Sequence, residues 1–365
     1  MNPPRFNREF FRDPRRAADL AGDIRRLAAG RPFRLMEVCG THTVAIARSG
    51  LKDLLPPEIR LISGPGCPVC VTPQKTIERM IARAARPETV LATFGDMLGV
   101  PGGGSSLREK KERGAGVRVI YSPLEALELA RENPGRRVVL PAIGFETTQP
   151  AIAAAVLEAE KSGLENFFLI PAGRLIPPAL EFLLADPENR LDGLICPGHV
   201  SVIIGLDPYR EIARRHRVPC VVAGFEPIDI LGAVRELIRR AGRGEAINLY
   251  PRAVRDGGNP KARRAVERVF RPADAEWRGL GAIPLSGLVP RDDYARFDVD
   301  RVDPIEIPEA GEDPSCICGR VLRGVSDPAD CPRFGAGCDP DHPLGPCMVS
   351  AEGACAARYR YSGYS

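Results

Sequence analysis

The sequence predicts an α/β protein with two similar parallel-sheet domains around a cleft, followed by a smaller cysteine-rich domain. Three observations carry this. Short apolar runs alternate with helix-like stretches from Phe33 to about Ile230, the pattern of parallel strands covered on both faces. Three strand ends resemble one another, Phe94-Gly95-Asp96, Gly144-Phe145-Glu146 and Gly224-Phe225-Glu226, as two related units would. Six of the eleven cysteines fall between Cys316 and Cys355, where aliphatic residues are few and a core needs a staple. The expected divisions are 1–130, 131–245 and 246–365, the last holding a linker and the cysteine-rich domain.

The elements follow in order. Asp13 suits a helix N-cap, Pro14 its first turn and Gly30 its end; Leu20, Ile24 and Leu27 share its apolar face, and Arg15, Arg16, Arg25 and Arg26 its solvated one. Strands are expected over 33–38, 59–63, 89–94, 117–121, 137–143, 166–171, 191–196 and 218–223. Loops after the carboxyl ends of parallel strands form the ligand crevice of such sheets. Cys39, Cys67, Cys70, Asp96, Glu146, His199 and Glu226 are therefore expected on that rim. Cys196 and Cys220 fall within strands and read as buried packing residues. His216, in Arg214-Arg215-His216-Arg217, reads as a solvated helix end. From Tyr250 to Pro314 the chain is rich in Arg, Pro, Gly and Asp and shows little periodicity.

Composition narrows the function. The chain has 365 residues, and its 51 basic and 47 acidic side chains leave a net charge of +4. So small and scattered an excess gives no reason to expect nucleic acid or an anionic membrane as partner. No apolar run approaches the ~18 residues of a membrane span. The segment Met1-Asn2-Pro3-Pro4-Arg5-Phe6-Asn7 has no apolar stretch of a secretory leader, so a cytoplasmic protein is expected. In a reducing compartment an odd cysteine count argues for metal or redox chemistry rather than a disulfide framework.

The carboxy-terminal cysteines are soft ligands. Fourteen residues separate Cys316 from Cys331, six separate Cys331 from Cys338 and sixteen separate Cys338 from Cys355. Two C-x-x-C knuckles of a zinc ribbon are absent, and intervals this long wrap a [4Fe–4S] cubane more naturally than they close around one zinc ion. Cys316, Cys331, Cys338 and Cys355 are the favoured ligands, with Cys318 and Cys347 as substitutes; zinc and plain reduced thiols remain open. Nearer the N-terminus, Cys67-Pro68-Val69-Cys70 follows a strand and the turn Gly64-Pro65-Gly66. Thr72 and Pro73 then open a helix with Ile77, Met80 and Ile81 on its apolar face. A C-x-x-C at a helix start favours thiolates, and can cycle with a disulfide or hold a soft metal. Cys39-Gly40-Thr41-His42 ends the first strand; with Cys67 and Cys70 it offers three thiolates for one iron, His42 serving better as a hydrogen-bond donor than as a ligand. His199 is a candidate to protonate a leaving thiolate or hydrogen-bond a bound group, with a satisfied rim histidine as the alternative. Glu146, Glu226 and Asp96 are candidates for orienting such groups or capping helices. His342 reads as a turn residue.

Other chemistries lack their signatures. There is no Gly-x-x-x-x-Gly-Lys-Ser/Thr, Gly-x-Gly-x-x-Gly, His-Glu-x-x-His or Gly-x-Ser-x-Gly. Gly102-Gly103-Gly104-Ser105-Ser106 reads as a flexible or docking loop.

Taken together, several motifs resemble the hydrogenase maturation factor HypD family. They are Glu37-Val38-Cys39-Gly40-Thr41-His42-Thr43, Gly64-Pro65-Gly66-Cys67-Pro68-Val69-Cys70, Thr93-Phe94-Gly95-Asp96-Met97, Gly144-Phe145-Glu146-Thr147-Thr148, Pro197-Gly198-His199-Val200, Gly224-Phe225-Glu226-Pro227 and Ser350-Ala351-Glu352-Gly353-Ala354-Cys355-Ala356-Ala357. The resemblance implies two α/β domains plus an iron–sulfur cluster domain. It further implies a scaffold on which the iron of [NiFe]-hydrogenase gains one carbon monoxide and two cyanide ligands. The implied partners are a HypC-type chaperone, a HypE-type donor carrying cyanide as a thiocyanate, and, indirectly, the hydrogenase large subunit. Cys39 is then an iron-site residue, Cys67 and Cys70 a redox or iron-holding pair, and the tail cysteines the cluster ligands. Electrons are expected to pass from cluster to Cys67–Cys70 to the thiocyanate. A stand-alone iron–sulfur thiol–disulfide reductase is the alternative reading.

Overall fold

The computed structural model describes residues 9–307 and 313–361; the expectation about a leader at Met1 to Asn7 lies outside them. The described residues hold ten strands ahead of residue 250, eight of them within two residues of the expected bounds: β1 (Phe33–Glu37), β2 (Ile59–Ser63), β3 (Thr89–Thr93), β4 (Val117–Val119), β5 (Arg137–Pro141), β6 (Phe167–Ile170), β7 (Gly173–Arg174), β8 (Gly193–Pro197), β9 (Cys220–Ala223) and β10 (Ala246–Asn248). Two of these, β7 and β10, were not expected. The region without clear periodicity holds a helix, Pro260–Val269, and an antiparallel hairpin of β11 (Phe270–Trp277) and β12 (Gly281–Pro290).

The strands form two parallel sheets. The first runs β10-β9-β8-β1-β2 and the second β4-β3-β5-β6, while β11-β12-β7 make a small third sheet. The chain thus begins in the first sheet, builds the second, and returns to the first through β8, which pairs with β1 at Leu35↔Gly193. This partition differs from the divisions at 130 and 245. Sheet membership is set by a pairing between residues 158 apart, which no local pattern encodes.

Alternation along the strands sorts side chains into three cores. Leu35, Ile195 and Val221 face one side of the first sheet, under the helices Pro14–Ala28 and Pro227–Arg239. Val90, Val138 and Leu169 face the far side of the second sheet. Between them, Met36, Cys196, Val222, Leu91, Val139 and Ile170 share a common core with Cys67, Cys70, Cys318 and Cys347. Both sheets are therefore covered on both faces, as the uninterrupted apolar strands require.

The first helix is capped by Asp13, which accepts the Arg15 N–H, and ends at Ala29 in the left-handed region. Its buried face is Ala17, Ala21, Ile24 and Ala28, not Leu20 and Leu27. Small residues let it lie close to Pro227–Arg239. Beyond Asp313 the chain has only short helices, Cys318–Leu322, Pro346–Val349 and Ala354–Tyr361 among them, and its own apolar cluster is small: Cys338, Met348 and Ala356.

Candidate metal and thiol site

Strand order reverses between β1 and β8 in the first sheet, and a crevice forms at the carboxyl ends of strands at such a point. Cys39 follows β1 there and His199 follows β8. Cys67 follows β2 and Phe225 follows β9. The turn after β2 is pressed against the turn after β1. Gly64 N–H donates to Glu37 C=O at 2.8 Å and Gly40 N–H to Gly66 C=O at 3.0 Å. A Cβ on Gly66 would lie 2.1 Å from the Cys39 nitrogen. The glycine is what lets the Cys39 and Cys67 loops touch.

Cys39 caps the helix Gly40–Arg48 and is nearly buried. Its N–H donates to Glu37 Oε2 at 3.0 Å, and Thr43 donates its hydroxyl to the other Glu37 oxygen. Burial pushes the Glu37 carboxyl up to about 8 and the Cys39 thiol up to about 12. Without a metal to replace its proton, Cys39 is a thiol at neutral pH. His42 is buried behind it: Nε2 donates to Gly224 C=O at 2.8 Å, Nδ1 has no hydrogen-bond partner among the described residues, and burial lowers its pKa to about 4. Engaged and neutral, His42 orients the Gly224 loop. Its ring and the exposed ring of His199 lie against Phe225, with centroids 4.8 and 4.1 Å away. Partial burial also lowers the His199 pKa.

The tail closes this rim from the other side. Thr41 donates to Glu352 Oε1 at 2.7 Å, and Gly40 has no Cβ because one would meet Glu352 Cβ at 2.5 Å. Cys67 caps the short helix Pro68–Val71, its sulfur accepting the Cys70 N–H at 3.3 Å and lying 3.3 Å from Ser350 Oγ. Cys70 Sγ lies 3.9 Å from Pro346 C=O and is hydrogen-bonded to the Cys347 and Cys67 side chains. Cys347 in turn meets Cys318 with sulfurs 2.7 Å apart, and Cys318 meets Cys316. A line of thiols thus runs from Cys67 through Cys70, Cys347 and Cys318 to Cys316. A helix start does not make Cys70 a thiolate here: burial at 0 % exposure raises its pKa well above the ordinary thiol value and outweighs a four-residue helix.

The six tail cysteines divide by environment. Cys318 and Cys347 are buried in the shared core and face Cys70. Cys355 is raised first by burial and then by the neighbouring Cys316, Cys338 and Cys331 thiols, and Cys338 likewise by burial and then by Cys316 and Cys331. The two groups adjoin, since Cys316 is hydrogen-bonded to Cys318 and Cys355 also lies near Cys318 and Cys347. Among the described residues no three His, Cys, Asp or Glu side chains converge as a single ion requires. Thiols are the donor type that holds an iron–sulfur cluster, and Cys316, Cys331, Cys338 and Cys355 are the residues that would hold one.

Two of the expected rim residues lie at the second sheet instead. Asp96 and Glu146 follow β3 and β5, at the reversal of strand order in the second sheet. Asp96 is exposed; Glu146 is buried, accepts the Ile176 N–H at 2.9 Å, and has its pKa raised by burial to about 7. Glu226 caps the helix Pro227–Arg239 and pairs with Arg12. His216 is not a free basic end: its Nε2 lies 2.5 Å from Glu181. His342 sits in a turn beside Asp339. Cys196 and Cys220 are fully buried. The Gly102–Ser106 loop, numbered 102–106, folds onto Glu78, which accepts the Gly103 N–H. Ser350, Glu352 and Glu37 were given no role from sequence, since Glu352 and Thr41 are 311 residues apart; their only signal was membership of the matching motifs. Among the described residues no helix is long and apolar enough to cross a membrane.

Comparison with known proteins places these motifs in one family. The family described as "HypD: Hydrogenase formation hypA family" matches residues 15–362. The chain is 48% identical over 361 residues to "Hydrogenase maturation factor HypD" of Azotobacter vinelandii, covering 96% of this chain and 95% of that protein. It is 48% identical to "Hydrogenase expression/formation protein HupD" of Azotobacter chroococcum mcd 1 over the same shares, and 44% identical to "Hydrogenase maturation factor HypD" of Escherichia coli (strain K12), covering 96% of each.

Proposed function

This chain belongs to the HypD family of hydrogenase formation proteins, and from that premise we propose that it is a cytoplasmic scaffold and redox protein assembling the Fe(CN)2CO group of [NiFe]-hydrogenase. The iron is cargo, bound by thiolates drawn from Cys39, Cys67 and Cys70, which do not by themselves converge as a single ion requires, so that a HypC-type chaperone completes its ligand set; cyanide arrives from a HypE-type donor. The observation that carries the reading is that the turns bearing Cys39 and Cys67 touch at one end of the first sheet and that the tail is bonded to both, through Thr41–Glu352 and Cys67–Ser350. Strong-field cyanide and carbonyl ligands with thiolate donors suit low-spin iron(II). A [4Fe–4S] cluster fits Cys316, Cys331, Cys338 and Cys355 and, when bound, supplies electrons singly.

The protein's own thiols supply the two-electron step. A donor R–S–C≡N reacts with the Cys67–Cys70 dithiol to give R–SH, HCN and the Cys67–Cys70 disulfide. The S–CN bond breaks, an S–S bond forms, and the two thiol protons leave on R–SH and HCN. Cys347, against Cys70, is placed to attack that disulfide, so that the Cys318–Cys347 dithiol becomes the disulfide and Cys67–Cys70 is reduced again. His199, whose pKa partial burial lowers, is placed at the rim to donate an N–H to the cyanide nitrogen or a proton to the leaving thiolate.

The test is infrared spectroscopy of protein purified anaerobically after co-production with a HypC-type partner. Cyanide and carbonyl stretching bands are expected, and Cys67→Ala is expected to lose cyanide transfer from a loaded donor. Full transfer by Cys67→Ala would exclude the dithiol step. Turnover of a free disulfide by the chain alone, without such bands, would favour the reductase reading instead.

A further inference from the structure

The Cys67 sulfur meets a hydroxyl of the tail, that of Ser350. The two residues are 283 positions apart, and the hydroxyl lies 3.3 Å from Cys67 Sγ. Ser350 is 2 % exposed and pinned from several directions. Its N–H donates to Pro346 C=O at 3.0 Å, its C=O accepts the Gly353 N–H at 2.9 Å, and its Oγ accepts the Glu352 N–H at 3.3 Å. The same short helix, Pro346–Val349, carries Cys347 against Cys70, so the hydroxyl is presented to one sulfur of the pair and a thiol to the other.

We propose that Ser350 is a positioning residue that sets the redox balance of the Cys67–Cys70 pair by hydrogen-bonding Cys67 in its reduced state. This rests on reading that pair as redox-active. A Cys67 thiol donates S–H to Ser350 Oγ, and a Cys67 thiolate accepts the Ser350 O–H; a Cys67–Cys70 disulfide has no S–H and is a weak acceptor. The contact is therefore stronger in the dithiol than in the disulfide, and it pulls the couple toward reduction. Ser350 exchanges no electrons: with an external reagent the balance is dithiol plus oxidised dithiothreitol giving protein disulfide plus dithiothreitol.

The experiment equilibrates the full-length protein anaerobically in graded dithiothreitol redox buffers. Free thiols are then alkylated, and the state of Cys67 and Cys70 is read by peptide mass spectrometry. Losing one hydrogen bond in Ser350→Ala is expected to shift the equilibrium about threefold to tenfold toward the disulfide, up to about 30 mV more negative for a two-electron couple. Ser350→Thr, which keeps the hydroxyl, is expected to restore the wild-type balance. A Ser350→Ala titration that superimposes on wild type overturns the role of Ser350 while leaving the redox pair standing. A wild-type pair that never forms a disulfide in any buffer overturns the redox reading and this inference with it. A second readout needs no serine variant. The Cys67 S–H stretch, assigned by its loss in Cys67→Ala, is expected at lower frequency than a free thiol; a band at the free position overturns the hydrogen bond.

Discussion

Three buried titratable side chains stand out, and their pH effects oppose one another. Glu146 has a folded pKa of about 7 against an ordinary 4.5 because burial penalises its charge. Its stabilising effect is therefore full below about pH 4.5 and is lost as pH rises toward 7, the unfolded chain releasing its proton first. Glu37 behaves alike up to about 8. His42, lowered to about 4 from 6.5, contributes above 6.5 and loses that contribution as pH falls toward 4. Glu146→Gln keeps an oxygen for the Ile176 N–H and cannot ionise. Thermal or denaturant unfolding at pH 5 and 7.5 is expected to show that this variant escapes a pH-dependent loss of up to about 3 kcal/mol. Equal pH dependence in both proteins would place Glu146 in water. At this scale the sequence marked Cys39, Cys67 and Cys70 as candidates because each sits where a strand gives way to a turn, and the turns carrying Cys39 and Cys67 touch through Gly66. It did not reveal Ser350 or Glu352, whose partners are reached only by folding.

Between elements, the decisive contact is the one between the turns after β1 and β2. A side chain at residue 66 would occupy the Cys39 backbone, so Gly66→Ala must push the two loops apart. It is expected to cost about 1–3 kcal/mol in unfolding free energy, as overpacking does, and to abolish the iron-derived infrared bands even where the protein still folds. Retained bands with unchanged stability would show that the loops need not touch. Gly30→Ala is a control on an open left-handed position, where no Cβ contact lies within 4 Å; it is expected to alter stability without affecting the bands. The eight strands were legible because apolar runs between glycines carry their own boundaries. The hairpin of β11 and β12 was not, since Pro272 and alternating polar residues break the apolar run and long-range burial of Phe270 and Trp277 fixes it.

Across the whole molecule, the tail is a lid of short helices on the rim of the first sheet, with a small core of its own. Changing Cys316, Cys331, Cys338 or Cys355 to serine is expected to remove the iron, sulfide and brown colour of the cluster. Cys318→Ser and Cys347→Ser are expected to keep the iron while losing repeated cyanide transfer. Iron and sulfide analysis with visible absorption checks this, and loss of iron in the latter pair would reassign the ligands. On the cluster reading, stripping the metal is expected to open the tail to limited proteolysis before either sheet, because metal–thiolate bonds would supplement its small apolar core.

By itself the sequence determined the parallel α/β class, the strands, the cysteine motifs and the family, since these reside in local pattern and in residue types at short spacing. Only the tertiary structure decided which strands share a sheet, which thiols meet, and that burial keeps Cys70 protonated. Those outcomes depend on hydrogen bonds and dehydration between segments hundreds of residues apart, and such terms have no local trace.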